Sequence, residues 1–333
     1  MTFRRRAAAS SALALTAALT IGACGSTSDD STGTADGGAK VVATTTIWGN
    51  VAEQVAECAG GTVTTLMPVG ADPHDFTPSS ADIATVVGAD LVIANGLGWE
   101  EGLTSALDSA AQDGATVLEV APLLNPLPLA EDDGHAEEEA VAESGAAAAT
   151  EGEGHSESGL DPHVWLDAAR AATAAELIGK ELATTTGDAA YEKCGTDVAA
   201  ELRATDEQVR ATLAAVPADK RILVTDHDAL GYLAAAYDFD IAGVVVPGGS
   251  TLAEPSSAEL ATLAATVEQA GVPAIFANSA NPSALVDALA GEVGDVEVVE
   301  LYVDSLGEPG SGADTYQGMM TTDAQRIADA LAG

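Results

Sequence analysis

The chain has 333 residues, with 52 Asp and Glu against 12 Lys and Arg, a net charge of −40. A surface of that sign repels phosphate backbones and anionic headgroups, which excludes nucleic-acid binding and polybasic attachment to membranes. Hydrophobic residues are 47% of the sequence, enough for ordinary cores, and at about 100–200 residues per domain the length suits two.

The chain opens with Arg4, Arg5 and Arg6, followed by an uncharged Ala- and Leu-rich run over 7–23. This is the pattern of an export signal, too abruptly ended for a stable spanning helix. The run closes Ile21-Gly22-Ala23-Cys24, which resembles a bacterial lipobox. The expectation is a signal over 1–23, acylation of Cys24, and a Ser/Thr/Gly-rich tether over 24–39. The alternative is an ordinary signal peptide cut nearby, freeing a soluble protein. Removing the signal leaves 9 basic against 52 acidic side chains, a net −43.

From residue 40 the pattern alternates. Strands are expected at 41–48, 62–68, 91–95 and 116–120, with helical segments at 49–59, 78–88 and 99–113 between them. Residues 131–159 carry ten acidic side chains, no Lys or Arg, and His135 and His155. That composition predicts a disordered insertion. In 188–216, Val198, Leu202, Val209, Leu213 and Val216 recur at helical spacing before Pro217. A helix of roughly 28 residues would span about 42 Å, long enough to bridge two lobes. Strands then resume at 221–226, 241–247, 274–278 and 296–303, with helices near 228–237, 256–270, 282–291 and 314–331. Such alternation implies parallel sheets covered by helices. The expected α/β fold has two parallel-sheet lobes, 40–187 and 217–333, joined by a bridging helix at 188–216.

After Cys24, only Cys58 and Cys194 remain. Outside the cytoplasm such a pair is expected to form a disulfide, and two cysteines do not make a Cys-rich zinc site.

The five histidines include three outside the acidic insertion, each at an expected element boundary and flanked by Asp. They are His74 in Asp72-Pro73-His74-Asp75, His163 in Asp161-Pro162-His163-Val164-Trp165, and His227 in Asp226-His227-Asp228. Asp304 follows the last expected strand. In open α/β sheets, ligands bind beyond the carboxyl ends of strands. Imidazoles with a carboxylate form a donor set suited to a divalent ion such as zinc. Any one histidine is compatible with a surface or capping role. The adjacent Asp72, Asp161, Asp226 and Asp228 are expected mainly as caps and turn formers, with orientation of the rings as the alternative.

These motifs, read in order, resemble the solute-binding proteins of zinc and manganese ABC transporters, the cluster A group with the zinc-uptake and TroA-like receptors. The resemblance is carried by Val69-Gly70-Ala71-Asp72-Pro73-His74-Asp75-Phe76, Asn95-Gly96-Leu97-Gly98-Trp99-Glu100 and Asp161-Pro162-His163-Val164-Trp165-Leu166-Asp167. It continues in Thr225-Asp226-His227-Asp228, Glu254-Pro255-Ser256 and Tyr302-Val303-Asp304-Ser305-Leu306. It extends from about residue 41 to the C-terminus. It implies a metal held between the lobes by His74, His163, His227 and Asp304, in a lipid-anchored monomer that serves an ABC permease and its ATPase. In this family the third ligand position separates preferences, His for zinc and Glu for manganese, so His227 implies Zn2+ with Mn2+ as runner-up. The insertion occupies the place of the family's often His-rich loop but is acidic instead. Ala168 and Asn278 depart from the usual Pro and Glu. A secreted zinc hydrolase would share the donor set but needs a general base and an open position for water, and no HExxH run is present. A cell-surface adhesin is the remaining alternative, with no feature of its own to support it.

Overall fold

The structure, a computed structural model, describes residues 39–129, 159–246, 251, 255–281, 284–294 and 296–332. The expected signal over 1–23, Cys24, the tether up to residue 38, and the acidic insertion from 131 to 158 with His135 and His155 lie outside the described residues.

The first lobe is built in the order β1 (Val41–Ala43), α1 (Thr46–Cys58), β2 (Val63–Thr65), α2 (Ser80–Val87), β3 (Leu91–Ala94), α3 (Thr104–Gln112) and β4 (Thr116–Glu119). Two long helices follow, α4 (Ala168–Thr186) and α5 (Ala190–Leu213). The second lobe continues with β5 (Ile222–His227), α6 (Gly231–Tyr237), β6 (Asp240–Val246), α7 (Ser257–Ala270), β7 (Ala274–Asn278), α8 (Ala284–Val293), β8 (Glu297–Leu301) and α9 (Tyr316–Ala332).

Each sheet has four parallel strands, in the orders β2-β1-β3-β4 and β6-β5-β7-β8. Both therefore reverse direction between their two central strands, the switch point where such sheets leave a crevice for ligands. The central strands are covered on both faces, which is why β3 reads Leu-Val-Ile-Ala and is buried throughout.

Local chemistry sets the helix ends. Ser79 and Ser256 form capping boxes with Asp82 and Glu259 at the starts of α2 and α7. Asp167 caps α4, and Gly187 ends it at φ 75°.

The 24 residues of α5 span roughly 36 Å. This helix packs against α4, against α1 of the first lobe and against α9 of the second. The α4–α5 crossing is close enough to need glycine on both sides. A Cβ on Gly195 would stand 2.6 Å from the Ala175 carbonyl oxygen and 3.0 Å from Gly179 Cα. A disulfide joins Cys58, at the last turn of α1, to Cys194 in α5, with Cα atoms 5.8 Å apart.

Several boundaries differ from the sequence reading. The expected strand over 41–48 stops at Ala43, because Thr45 turns out to be the N-cap of α1 and accepts the Trp48 amide. Ile47 and Trp48 then bury fully as helical core residues. The expected helix over 99–113 begins as a short 3-10 turn at Glu101–Leu103 before α3. β5 runs one residue further than expected, so His227 is its last residue and pairs with Val246. β8 ends at Leu301, so Asp304 lies in the loop beyond it.

Candidate metal centre

The centre lies between the two lobes, beyond the carboxyl ends of their strands. His74 belongs to the loop after β2, and His163 precedes the 3-10 turn Val164–Leu166 that leads into α4. His227 closes β5, and Asp304 follows β8. One potential ligand atom from each of these side chains lies within 4.8 Å of the others. The three imidazole rings form a triangle, with centroids 5.4 Å apart for His163 and His227, 5.8 Å for His74 and His163, and 6.1 Å for His74 and His227.

Three of these side chains are fully buried and His74 is partly exposed. Burial fixes what each ring can present. Asp161 Oδ1 accepts both the backbone N–H of His163 at 2.9 Å and its ring Nδ1–H at 2.8 Å. Asp226 Oδ1 does the same for His227, at 2.8 and 2.9 Å. With Nδ1 engaged, each imidazole turns Nε2 toward the centre. These two aspartates therefore orient rings, where the sequence reading favoured capping for most of the flanking acids.

Asp72 behaves differently from its counterpart Asp161. Its Oδ1 accepts the His74 backbone N–H at 3.0 Å, while Oδ2 accepts from Thr251 Oγ1 at 2.6 Å and Asn281 Nδ2 at 3.1 Å across the cleft. Further bonds cross the same cleft. Gly70 N–H donates to Ser305 Oγ at 2.8 Å, Leu306 N–H to Thr46 Oγ1 at 3.0 Å, and Trp165 Nε1–H to the Val303 carbonyl at 2.8 Å.

Among the described residues, four buried side-chain polar atoms lack a hydrogen-bond partner, and three of them are His163 Nε2, His227 Nε2 and Asp304 Oδ1. A buried polar atom without a partner is costly, so three converging on one point mark a place built for something they can share. Asp304 Oδ1 is 3.9 Å from His163 Nε2, and Asp304 Oδ2 is 3.5 Å from His227 Nε2.

The electrostatics are those of several ionisable groups sharing one dry space. Burial, reinforced by the neighbouring His163 and His227, lowers the His74 imidazole to about 3. Burial and then His227 hold His163 well below the ordinary range. For His227, burial acts downward but is outweighed by the carboxylates of Asp226 and Asp304, which carry it up to about 9. Burial lifts Asp304 to about 7 against the pull of His227, and lifts Asp161 to about 7 as well. Near neutral pH, His74 and His163 are free bases and His227 holds a proton.

The sequence reading named two further residues without giving them a part in the centre. Trp99 Nε1–H donates to His74 Nε2 at 3.2 Å. Trp99 reaches it from a turn in which Gly96, Leu97 and Gly98 all have positive φ, at 82°, 59° and 78°. The buried Glu100 carboxylate holds that turn by accepting from Thr44 Oγ1 at 2.7 Å and from the Asn95 and Gly96 amides at 2.7 and 3.1 Å. The second is Asn278, whose Nδ2 donates to Asp304 Oδ2 at 2.6 Å. Both are contacts between distant segments: Trp99 stood in a motif and Asn278 as a departure from the family's usual Glu, and neither position pointed to its partner.

The family described as zinc-uptake complex component A, periplasmic (ZnuA) matches residues 41–330. The chain is 32% identical over 316 residues to the zinc-binding protein TroA of Treponema pallidum, covering 90% of each. It is 27% identical over 318 residues to the manganese-binding lipoprotein MntA of Halalkalibacterium halodurans, covering 94% of this chain and 95% of that one. Among solved structures it is similar to the periplasmic zinc-binding protein TroA of Treponema pallidum, with a TM-score of 0.72 and 29% identity over 89% of this chain and 100% of that one. An Mn-bound periplasmic metal-binding protein of candidatus liberibacter asiaticus gives 0.70 and 25% identity, over 88% of this chain and 99% of that one.

Proposed function

Because the chain belongs to the zinc-uptake component A family, it is the metal-binding, substrate-binding component of an ABC importer and not an enzyme, and we propose that its cargo is Zn2+. On this reading His74, His163, His227 and Asp304 take the ion between the lobes. The chain is exported, cleaved before Cys24, anchored through lipid on that residue, and acts as a monomer that passes the ion to the permease and its ATPase.

The observation that carries the cargo reading is the set of three buried, unpartnered donor atoms, His163 Nε2, His227 Nε2 and Asp304 Oδ1, beside His74. Three imidazoles and one carboxylate make a nitrogen-rich set of four, which suits tetrahedral Zn2+; Mn2+ is better served by more oxygen. Ligands from both lobes mean that capture also ties the lobes together. The manganese reading is supported by relatives named for that metal, such as the MntA protein above.

The test is to purify the protein without added metal, measure its metal content, and titrate Zn2+ against Mn2+ for the wild type and His227→Glu. Wild type should bind Zn2+ more tightly, and His227→Glu should move the preference toward Mn2+. Tighter Mn2+ binding by the wild type would overturn the assignment of the metal. Undiminished binding of both ions by His227→Ala would overturn the assignment of the site.

A further inference from the structure

We propose that Asn278 sets the metal selectivity of the centre by holding Asp304 to ligation through one oxygen. The inference rests on the proposed ligand set and deepens it, because it concerns a residue outside that set.

Asn278 is the last residue of β7 and only 1% exposed. β7 lies between β5, which ends in His227, and β8, which leads to Asp304. The register places Thr225 beside Phe276 and Asn278 beside Leu301. The parallel sheet therefore delivers Asn278 to the middle of the second-lobe half of the centre.

All of its polar groups facing that half are engaged. The backbone N–H donates to Asp226 Oδ2 at 2.7 Å, and Asp226 in turn orients His227. Side-chain Oδ1 accepts from the Ala280 amide at 3.1 Å. That bond decides the orientation of the amide, so the NH2 end is the one that faces Asp304. Nδ2 then donates to Asp304 Oδ2 at 2.6 Å.

The two oxygens of Asp304 are thereby made unequal. Oδ2 gives electron density to a short, charge-assisted bond, while Oδ1 is buried with no partner. Chelation through both oxygens would require Oδ2 to share its density between the ion and Asn278, within a carboxylate whose rotation the amide has already fixed. Oδ1, which shares its density with no hydrogen bond, is left as the stronger donor. With three imidazoles the donor count is then four, the number that structural zinc sites take. An ion that favours oxygen donors loses the fifth contact that a free carboxylate would offer. An acidic side chain at 278 could not play this part without a proton, because it would repel Asp304; a neutral donor is required.

The experiment uses the whole chain, as wild type, Asn278→Ala and Asn278→Ser, with Zn2+, Mn2+ and Co2+ titrations and the visible absorption of the Co2+ form. Wild type should show the intense visible bands of four-coordinate Co2+. In both variants the preference for Zn2+ over Mn2+ should fall at least about tenfold, and the Co2+ bands should weaken as a fifth donor enters. A wild-type Co2+ spectrum of five or six coordination would overturn the proposal without recourse to any variant. So would an unchanged Zn2+/Mn2+ ratio, with a four-coordinate spectrum, in a folded variant. Failure of the ligand set itself looks different, since His227→Ala would then leave binding of all three ions intact.

Discussion

At the scale of single residues, the centre stores competition between a metal ion and a proton. The carboxylates of Asp226 and Asp304 raise His227 to about 9, from an ordinary 6.5. On the proposed ligand set, capture of Zn2+ through Nε2 would displace that proton, together with part of one from Asp304, which burial lifts to about 7. Calorimetry at pH 7 in buffers of different ionisation enthalpy should therefore register release of about one proton or more per ion. Apparent affinity should climb with pH up to about 9, rather than levelling off near 6.5 as free histidines would suggest. The metal-free fold should show the opposite trend. Its His227 pairing is fully present below 6.5 and is lost as pH rises through about 9. Binding enthalpies independent of the buffer would contradict this account. Asp161 gives a second handle, since it holds the His163 ring through Nδ1 at 2.8 Å. Asp161→Ala should weaken Zn2+ binding by about 10–100-fold, the usual cost of losing such an orienting partner. Unchanged affinity would mean that packing alone aims the ring.

At the scale of elements, two joints hold the helical spine. One is the glycine crossing of α4 and α5, and the other is the disulfide from the end of α1 to α5. The cysteines are 136 residues apart in sequence, so in a chain-entropy account the cross-link removes up to about 5 kcal/mol of freedom from the unfolded chain. Cys58→Ser with Cys194→Ser should lower the unfolding free energy by up to about that amount, read as a fall in the denaturant midpoint, and reducing agent should do the same to the wild type. Equal midpoints with and without reductant would show that the bond adds nothing. The pattern of elements was legible because strands such as β3 are continuous apolar runs and α5 keeps its apolar positions at helical spacing. The run Thr44-Thr45-Thr46-Ile47-Trp48 was misleading, since its β-branched residues suit a strand. Thr45 instead caps a helix whose Ile47 and Trp48 find a core to enter. The centre divided along similar lines. Each histidine carried its signal in the adjacent residues, with an aspartate one or two positions before it, as in Asp161-Pro162-His163 and Asp226-His227. Asn278 and Trp99 were visible as a departure and as part of a motif, but not their roles, because their bonds to Asp304 and His74 join segments that only the sheets bring together.

At the scale of the whole molecule, the acidic excess and the centre act over different ranges. A net charge of −40 attracts cations through a long-range field that salt screens over about 10 Å at 0.1 M. The donor atoms discriminate among ions only at contact. Capture rates should therefore fall as ionic strength rises, while dissociation rates change little. Equilibrium linkage to folding belongs to this scale as well. His74 and His163 lie on one side of α5 in sequence and His227 and Asp304 on the other, so an ion that takes all four is bound only when both lobes are folded and apposed. Free Zn2+ at a hundredfold excess over its dissociation constant should then stabilise the native state by about 2.7 kcal/mol, and at a thousandfold by about 4.1 kcal/mol. Because the proposed ligands are split between the lobes, the gain should appear as one calorimetric transition moving upward as a unit. If the scan instead resolves two transitions and Zn2+ shifts only one of them, the ion is held within a single lobe. If neither moves at saturating Zn2+, the four side chains do not bind it.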